Sequence, residues 1–230
     1  QSLVISVRVD EGLVVPAMSY TAGTDEAWWL GSDLSSSWEF PIAQVSGIDS
    51  TAIVIGNPNL ADVDVTLDLY TPGESQPDPI EVTIGPEAPV RVDLTGVDTD
   101  TFGVRVSATA PVVAGIVGQG EAGTALTGGS PSTARSWLLP GLRTVGLDEG
   151  TLWLLNTSFE QVSVTVSVLT GDAAINTQVL IDPVSQVAVP ITEPDALGVA
   201  VEAVDPFSAA WSLTGPAGTA YSPGIAIIDE

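Results

Sequence analysis

Histidine, cysteine and lysine are absent from this chain of 230 residues, and methionine occurs once. Without these side chains there is no Ser-His-Asp or Cys-His pair, no Schiff-base or phosphate-loop lysine, and no ordinary zinc or iron-sulfur site. Disulfide bonds are excluded too, which is compatible with either redox compartment. We therefore expect a protein that is not an enzyme and that carries no cofactor.

Positive charge is nearly absent as well. Five arginines oppose 29 acidic residues, which gives a formal net charge of −24 although only 15% of the residues are charged. Such a surface repels phosphate, so nucleic acid is disfavoured as a partner, whereas cations, basic proteins and neutral glycans stay open. The composition fits two origins, a halophile or a high-GC bacterium, and the sequence does not separate them.

No apolar segment reaches the 18 residues or so that a membrane-spanning helix needs. The longest candidate, residues 110–117, has the length of a strand. We expect no direct membrane insertion of this segment. Because the chain begins at Gln1, without an initiator Met or a basic leader, we expect a processed mature chain or an excised ectodomain.

The chain repeats itself at an offset just under one hundred residues. Trp38 and Pro41 recur as Trp137 and Pro140, an offset of 99. The offset falls to 97 and then to 95 further on, and each step lies in a turn-like stretch where deletions are tolerated. Further matched pairs are Asn57 with Asn156, Val63 with Val162, Ile84 with Ile181, Val90 with Val187, Gly103 with Gly198, and Pro111 with Pro206.

A third, partial copy opens the chain. Ala22-Gly23-Thr24 returns at residues 122–124 and again at residues 217–219. We therefore predict three segments: residues 1–37 as the C-terminal half of an incomplete unit packed on the first full unit, residues 38–136 as that unit, and residues 137–230 as a second.

Apolar residues alternate with polar ones inside each unit. In residues 61–69 every odd position is apolar, or Ala, and the even positions are Asp or Thr, which is typical of a half-buried strand. Turn signals such as Gly85-Pro86 and Asp182-Pro183 separate such strands. About seven strands per unit predict an all-β chain of tandem immunoglobulin-like or fibronectin-like β-sandwich domains.

The order of these strand patterns resembles an actinobacterial family of secreted or membrane-anchored cell-envelope proteins of unknown function. The resemblance covers most of the chain and rests on Trp38, Pro41, Asn57, residues 63–69 and the Gly-Val-x-Val and Pro-Val-Val-Ala segments at 103–106 and 111–114. It implies an extracytoplasmic location and a link to envelope glycan assembly, and it supplies no catalytic residues.

Tryptophans are the most informative candidate site residues. Trp38 and Trp137 are equivalent, so we predict that both anchor a core. Trp28 and Trp29 are adjacent, so in a strand they point to opposite faces, and one would lie at the surface or an interface. With Trp153 they are the candidate ligand-binding residues for a glycan, although Trp153, like Trp211, is unit-specific and could instead fill a seam between units.

Polar side chains suggest weaker sites. Asp98 and Asp100 alternate in a loop and form a candidate calcium site, although they lack the remainder of a known calcium loop. Asn156 begins a glycosylation acceptor pattern, but its repeat equivalent does not, so we predict that Asn57 and Asn156 cap turns. Arg105 is expected to pair with cross-strand carboxylates.

Three functions follow from these observations. The first is a non-enzymatic extracytoplasmic structural or interaction module of the bacterial cell envelope, which spaces, docks or scaffolds an unknown envelope protein or glycan. The second is a glycan-binding module that uses exposed tryptophan with Asp or Asn. The third is a hydrolase that uses carboxylates alone, which would need two of them facing each other across a cleft.

Overall fold

The computed structural model describes residues 5, 17–22, 25–43, 49–73, 76–95, 97, 101–121, 123–141, 149–216 and 218–227. These residues form seventeen strands and no helix, so the prediction of an all-β chain is confirmed. No membrane-crossing helix occurs among them.

The strands are, in chain order, β1 (Ala17–Ala22), β2 (Asp25–Leu30), β3 (Ser35–Phe40), β4 (Ser50–Asn57), β5 (Val63–Tyr70), β6 (Ile80–Ile84), β7 (Ala88–Asp93), β8 (Gly103–Gly120), β9 (Gly123–Gly128), β10 (Ala134–Pro140), β11 (Glu149–Asn156), β12 (Val162–Leu169), β13 (Ala174–Ile181), β14 (Ser185–Ile191), β15 (Gly198–Gly215), β16 (Gly218–Pro223) and β17 (Ile225–Ala226).

Apart from the β1–β2 hairpin, the strands form two curled sheets. Strands β3 to β9 pair among themselves, and strands β10 to β17 pair among themselves. The two share the arrangement around their long strand, because β5, β3, β4 and β9 surround β8 as β12, β10, β11 and β16 surround β15. The second sheet also has β17, which pairs with β10. The boundaries of the predicted units, 38–136 and 137–230, stay a prediction. We call the β3–β9 part the first body and the β10–β17 part the second body.

A long strand curls each sheet. The first part of β8 pairs with β3 and β5, and its last part pairs with β4 and β9. Pro111 lies in the crossing between these two ladders, where its missing N–H group breaks few hydrogen bonds. Pro206 occupies the same place in β15. The chain therefore passes through each proline as a strand and leaves one ladder for the other.

The two equivalent tryptophans lie at the centres of the two cores, as predicted. Trp38 is fully buried and Trp137 is 1% exposed. Each indole Nε1–H donates to a carbonyl of the long strand, Trp38 to Val112 at 3.1 Å and Trp137 to Phe207 at 3.0 Å. The repeat therefore preserves both the packing and the hydrogen bond of this side chain.

Asn57 and Asn156 cap turns, as predicted. The Nδ2 group of Asn57 donates to three backbone carbonyls, and that of Asn156 does the same in the second body. Each Oδ1 accepts from the backbone N–H two residues later. Because both side chains are buried, this capping accounts for the shared asparagine.

Candidate functional site

Glu39 is the one carboxylate that is buried among the described residues, with 4% of its surface exposed. It lies on β3, and its backbone pairs with Ser130 as well as with β8. Its Oε1 accepts a hydrogen bond from Thr157 Oγ1 at 3.2 Å, and its Oε2 accepts one from Ser208 Oγ. Both donors belong to the second body, so Glu39 connects the two.

Burial dominates the electrostatics of this carboxyl. Loss of solvation raises the pKa of Glu39, while the hydroxyl of Ser208, the charge of Arg105 and the hydroxyl of Thr157 lower it by smaller amounts. The strand register places Arg105 directly opposite both Glu39 and Asp68, as the sequence predicts for this arginine. Arg105 thus lies between Glu39 and Asp68 in the sheet.

Two further hydrogen bonds cross between the bodies and end on backbone carbonyls. The Gln186 side chain donates its Nε2–H to the carbonyl of Pro41 at 2.6 Å. The Ser185 hydroxyl donates to the carbonyl of Thr71 at 3.4 Å. These bonds satisfy carbonyl groups at the end of the first body.

Apolar packing completes the contact. Trp153, Ala210 and Tyr221 of the second body belong to the apolar cluster that contains the core of the first body. The side chain of Leu155 lies against Gly103, where an added Cβ would be 3.0 Å from its Cδ1. We call this contact the joint; its members are Glu39, Pro41, Thr71, Gly103, Trp153, Leu155, Thr157, Ser185, Gln186, Ser208, Ala210 and Tyr221.

The far end of the second body differs from the joint at equivalent positions. Pro41 is buried, whereas its equivalent Pro140 is exposed. Leu138, which is half-buried, replaces Glu39. Sequence reasoning missed Glu39, although a signal was present, because an acidic residue follows Trp38 where a leucine follows Trp137.

The predicted ligand-binding tryptophans have different outcomes. Trp153 is only 4% exposed, and its Nε1–H donates to Ser212 Oγ at 2.9 Å. This burial leaves no ring face for a sugar and corrects the stacking hypothesis for Trp153, whereas the seam interpretation agrees with its place in the joint. Trp211 packs in the core of its own body instead.

The other candidates lie beyond what the structure describes. Trp28 and Trp29 stand in β2 opposite Ser19 and Met18, which confirms the strand but leaves their role a prediction, since only their backbone is described. Asp98 and Asp100 lie outside the described residues. Within the described ranges no group of three acidic side chains is placed to hold a metal ion.

The joint has the chemistry of a docking contact. It combines one carboxylate, hydroxyl and amide donors, and apolar side chains. Catalysis by carboxylates alone requires a facing pair of them and a cleft for the substrate. The members of the joint form neither. A small cavity beside Glu39 is lined mostly by apolar residues, including Phe40, Pro41 and Ala210. The arrangement can hold two bodies together.

Acrylamide quenching of tryptophan fluorescence is expected to report on Trp28 and Trp29 alone. The other four tryptophans are at most 7% exposed, so the neutral quencher should not reach them in the folded chain. Replacing Trp28 and Trp29 by Phe should remove any quenchable fraction. A quenchable fraction that persists in this double variant would contradict the burial of Trp153 and Trp211.

Comparison with known proteins places the chain in no family. No family model matches it, and no curated protein matches it either. Among solved structures it is similar to a Thermotoga maritima protein designated 1070, with a TM-score of 0.38 and 17% identity over 44% of this chain and 97% of that one. It is also similar to the Anabaena sensory rhodopsin transducer, with a TM-score of 0.31 and 15% identity over 35% of this chain and 78% of that one.

Proposed function

We propose that this chain is a non-enzymatic structural or interaction module of the bacterial cell envelope, in which tandem immunoglobulin-like sandwiches act as one stiff body. The observation that carries the proposal is the joint. Its single buried carboxylate is matched by two hydroxyl donors from the other body, and apolar side chains surround it. A flexible linker between independent domains would leave these groups in water.

Stiffness follows from the cost of opening the joint. Separation would expose the side chains of Trp153 and Leu155, and each large apolar side chain contributes about 1.5–3 kcal/mol when it is buried. It would also remove four hydrogen bonds between the bodies. A stiff module of this kind would hold the partners that contact its two ends at a fixed distance from each other.

The absence of catalysis is part of the proposal and is supported by the carboxylates that the structure describes. Glu39 is enclosed by the joint, and Asp64 on β5 accepts a hydrogen bond from Thr83 at 2.7 Å on an exposed sheet face. Such carboxylates are typical of a solvated surface. The lack of histidine, cysteine and lysine in the sequence also supports a non-enzymatic role.

Distances between spin labels test the stiffness. Because the chain has no cysteine, labels at Glu81→Cys and Ser163→Cys, both exposed and one in each body, are unique. We expect a narrow distance distribution. Leu155→Glu should broaden it by placing a charge in the joint, whereas Leu197→Glu, at an exposed position of the same body, should not. A broad distribution in the parent pair would reject a stiff module.

Labelling on intact cells tests the location. In the native cell, Ser163→Cys in the full-length gene product should react with a membrane-impermeant maleimide, because the residue is exposed. Ser212→Cys, which is 3% exposed, is the buried control. Reaction of Ser163→Cys only after lysis would reject an extracytoplasmic module.

A further inference from the structure

Strand β13 forms an open edge of the second body. It pairs with β12 in continuous register from Ala174 to Ile181, and within the described residues no strand pairs with its other side. In an antiparallel pair every second residue directs its N–H and C=O groups away from the partner. Those groups of β13 therefore face outward along a strand of eight residues.

This edge lacks the features that usually protect a sheet. Natural edge strands carry charges, prolines or bulges that discourage pairing with other molecules. Residues 173–181 contain no charge and no proline, although the chain as a whole carries −24. Two apolar side chains on the strand are also exposed, Ile175 at 45% and Leu180 at 58%.

Several other outer strands of the two bodies are short, carry charge or proline, or are covered. The equivalent strand of the first body, β6, is only five residues long and includes Glu81. Strand β7 contains Pro89 and Arg91, and β14 contains Pro190. Strands β9 and β16 lie against each other at the joint. Among these described strands, the long edge without charge or proline is thus particular to β13.

We propose that β13 pairs antiparallel with β13 of a second copy of this chain, which joins the second bodies of two molecules into one continuous sheet across a two-fold axis. A two-fold contact presents the same patch from both sides, so a strand without charge is self-compatible. It is also a part of the surface on which two strongly acidic molecules meet with little local repulsion.

The flanking charges select a register. Asp172 and Asp182 bound the uncharged segment, and a two-fold axis through Thr177 would place them opposite each other. An axis through Gln178 avoids this, because Asp182 then faces Ala174. In that register Ile175, which shares the core face with Ile181, lies opposite Ile181 of the second copy and extends the apolar core.

Sedimentation velocity tests the pairing in the full chain. We expect a monomer at about 0.01 M salt, where the Debye length is about 30 Å, and a dimer of twice the mass at about 0.5 M salt, where the repulsion between the two copies is screened. Asn176→Lys should abolish the dimer, although it reduces the net negative charge from −24 to −23 and so weakens the repulsion between the two copies. Ser163→Lys, which makes the same change on the neighbouring strand, should leave the dimer intact.

Disulfide formation locates the contact independently of mass. Directly opposite residues of paired strands have Cα atoms within disulfide range, so Gln178→Cys should form a covalent dimer on oxidation. Ser163→Cys, equally unique in a chain without cysteine, is the control for random collision. A monomer at every salt concentration, a dimer that Asn176→Lys does not weaken, or equal oxidation rates for the two cysteines would each overturn the proposal. Unchanged melting of the variants establishes that they are folded.

Discussion

Trp137→Ala is expected to lower the free energy of unfolding by about 3–5 kcal/mol, the usual cost of removing a large aromatic side chain from a core. The ring is 1% exposed, and its loss leaves a void in the core of the second body. The carbonyl of Phe207 also loses its donor, which lay at 3.0 Å. Urea unfolding followed by circular dichroism measures the change.

Trp38→Ala is the matched variant in the first body. Since Trp38 has nearly the same burial and the equivalent bond to Val112, its cost should fall in the same range of about 3–5 kcal/mol. Because the joint couples the two bodies, each variant should shift one common transition. Two separate transitions, with only one displaced in each variant, would contradict that coupling.

The sequence predicted those features of the fold that depend on residues within one body. The alternation in residues 63–69 and 162–168 predicts strands with one buried face, and these are β5 and β12. The equivalence of Trp38 and Trp137 predicts two anchored cores, because equal positions in two repeats need side chains of equal shape. These features depend on neighbours within one body, which the repeat itself reveals.

The course of the long strands was harder to predict. In the interior of a sheet a proline such as Pro111 or Pro206 would break the ladder, because it lacks the N–H group that the ladder uses. The structure instead continues through both prolines, because each lies where the strand leaves one ladder and joins another. A chain can pass this point as a strand without the N–H group that proline lacks. The alternation of apolar and polar residues does not reveal where a strand changes from one pairing strand to another.

The joint could not be predicted because its partners are distant in sequence. Glu39 and Ser208 are separated by 169 residues, and the sequence around either residue does not indicate the contact with the other. The same limit applies to Trp153, whose ring packs in the apolar cluster of the other body. The repeat identifies which positions differ between copies, but only the packing of the two bodies gives those differences a role.

Glu39→Gln is expected to stabilise the protein at neutral pH and to have little effect in acid. Burial holds the pKa of Glu39 above its ordinary value of 4.5. Below that ordinary value the carboxyl is protonated in both the folded and the unfolded chain, so its titration makes no difference to stability. As the pH rises from that ordinary value towards the raised pKa, the unfolded chain ionises Glu39 before the folded chain does, and stability is lost until both are ionised. Glutamine does not ionise, so the variant avoids this loss.

Unfolding in urea at a series of pH values from about 4 to about 8 measures the effect. Glu81→Gln, an exposed carboxylate of the same body, is the control for the general gain that comes from lowering a net charge of −24. The difference between the two variants should therefore grow with pH. Equal effects of both variants at every pH would mean that Glu39 is solvated in solution and that the joint is open.

Ser208→Ala reports on the same carboxyl from the other body. Above the raised pKa of Glu39 it removes a donor from a buried, ionised group, which costs about 1–3 kcal/mol, whereas below it the variant removes a bond to a neutral group and costs about 0.5–1.5 kcal/mol. In the Glu39→Gln background this pH dependence should disappear, because the ionisable partner is gone. A pH-dependent loss that persists in the double variant would assign the effect to another group. If the pH dependence disappears in the double variant, the hydrogen bond between Ser208 and the Glu39 carboxyl contributes to the stability of both bodies.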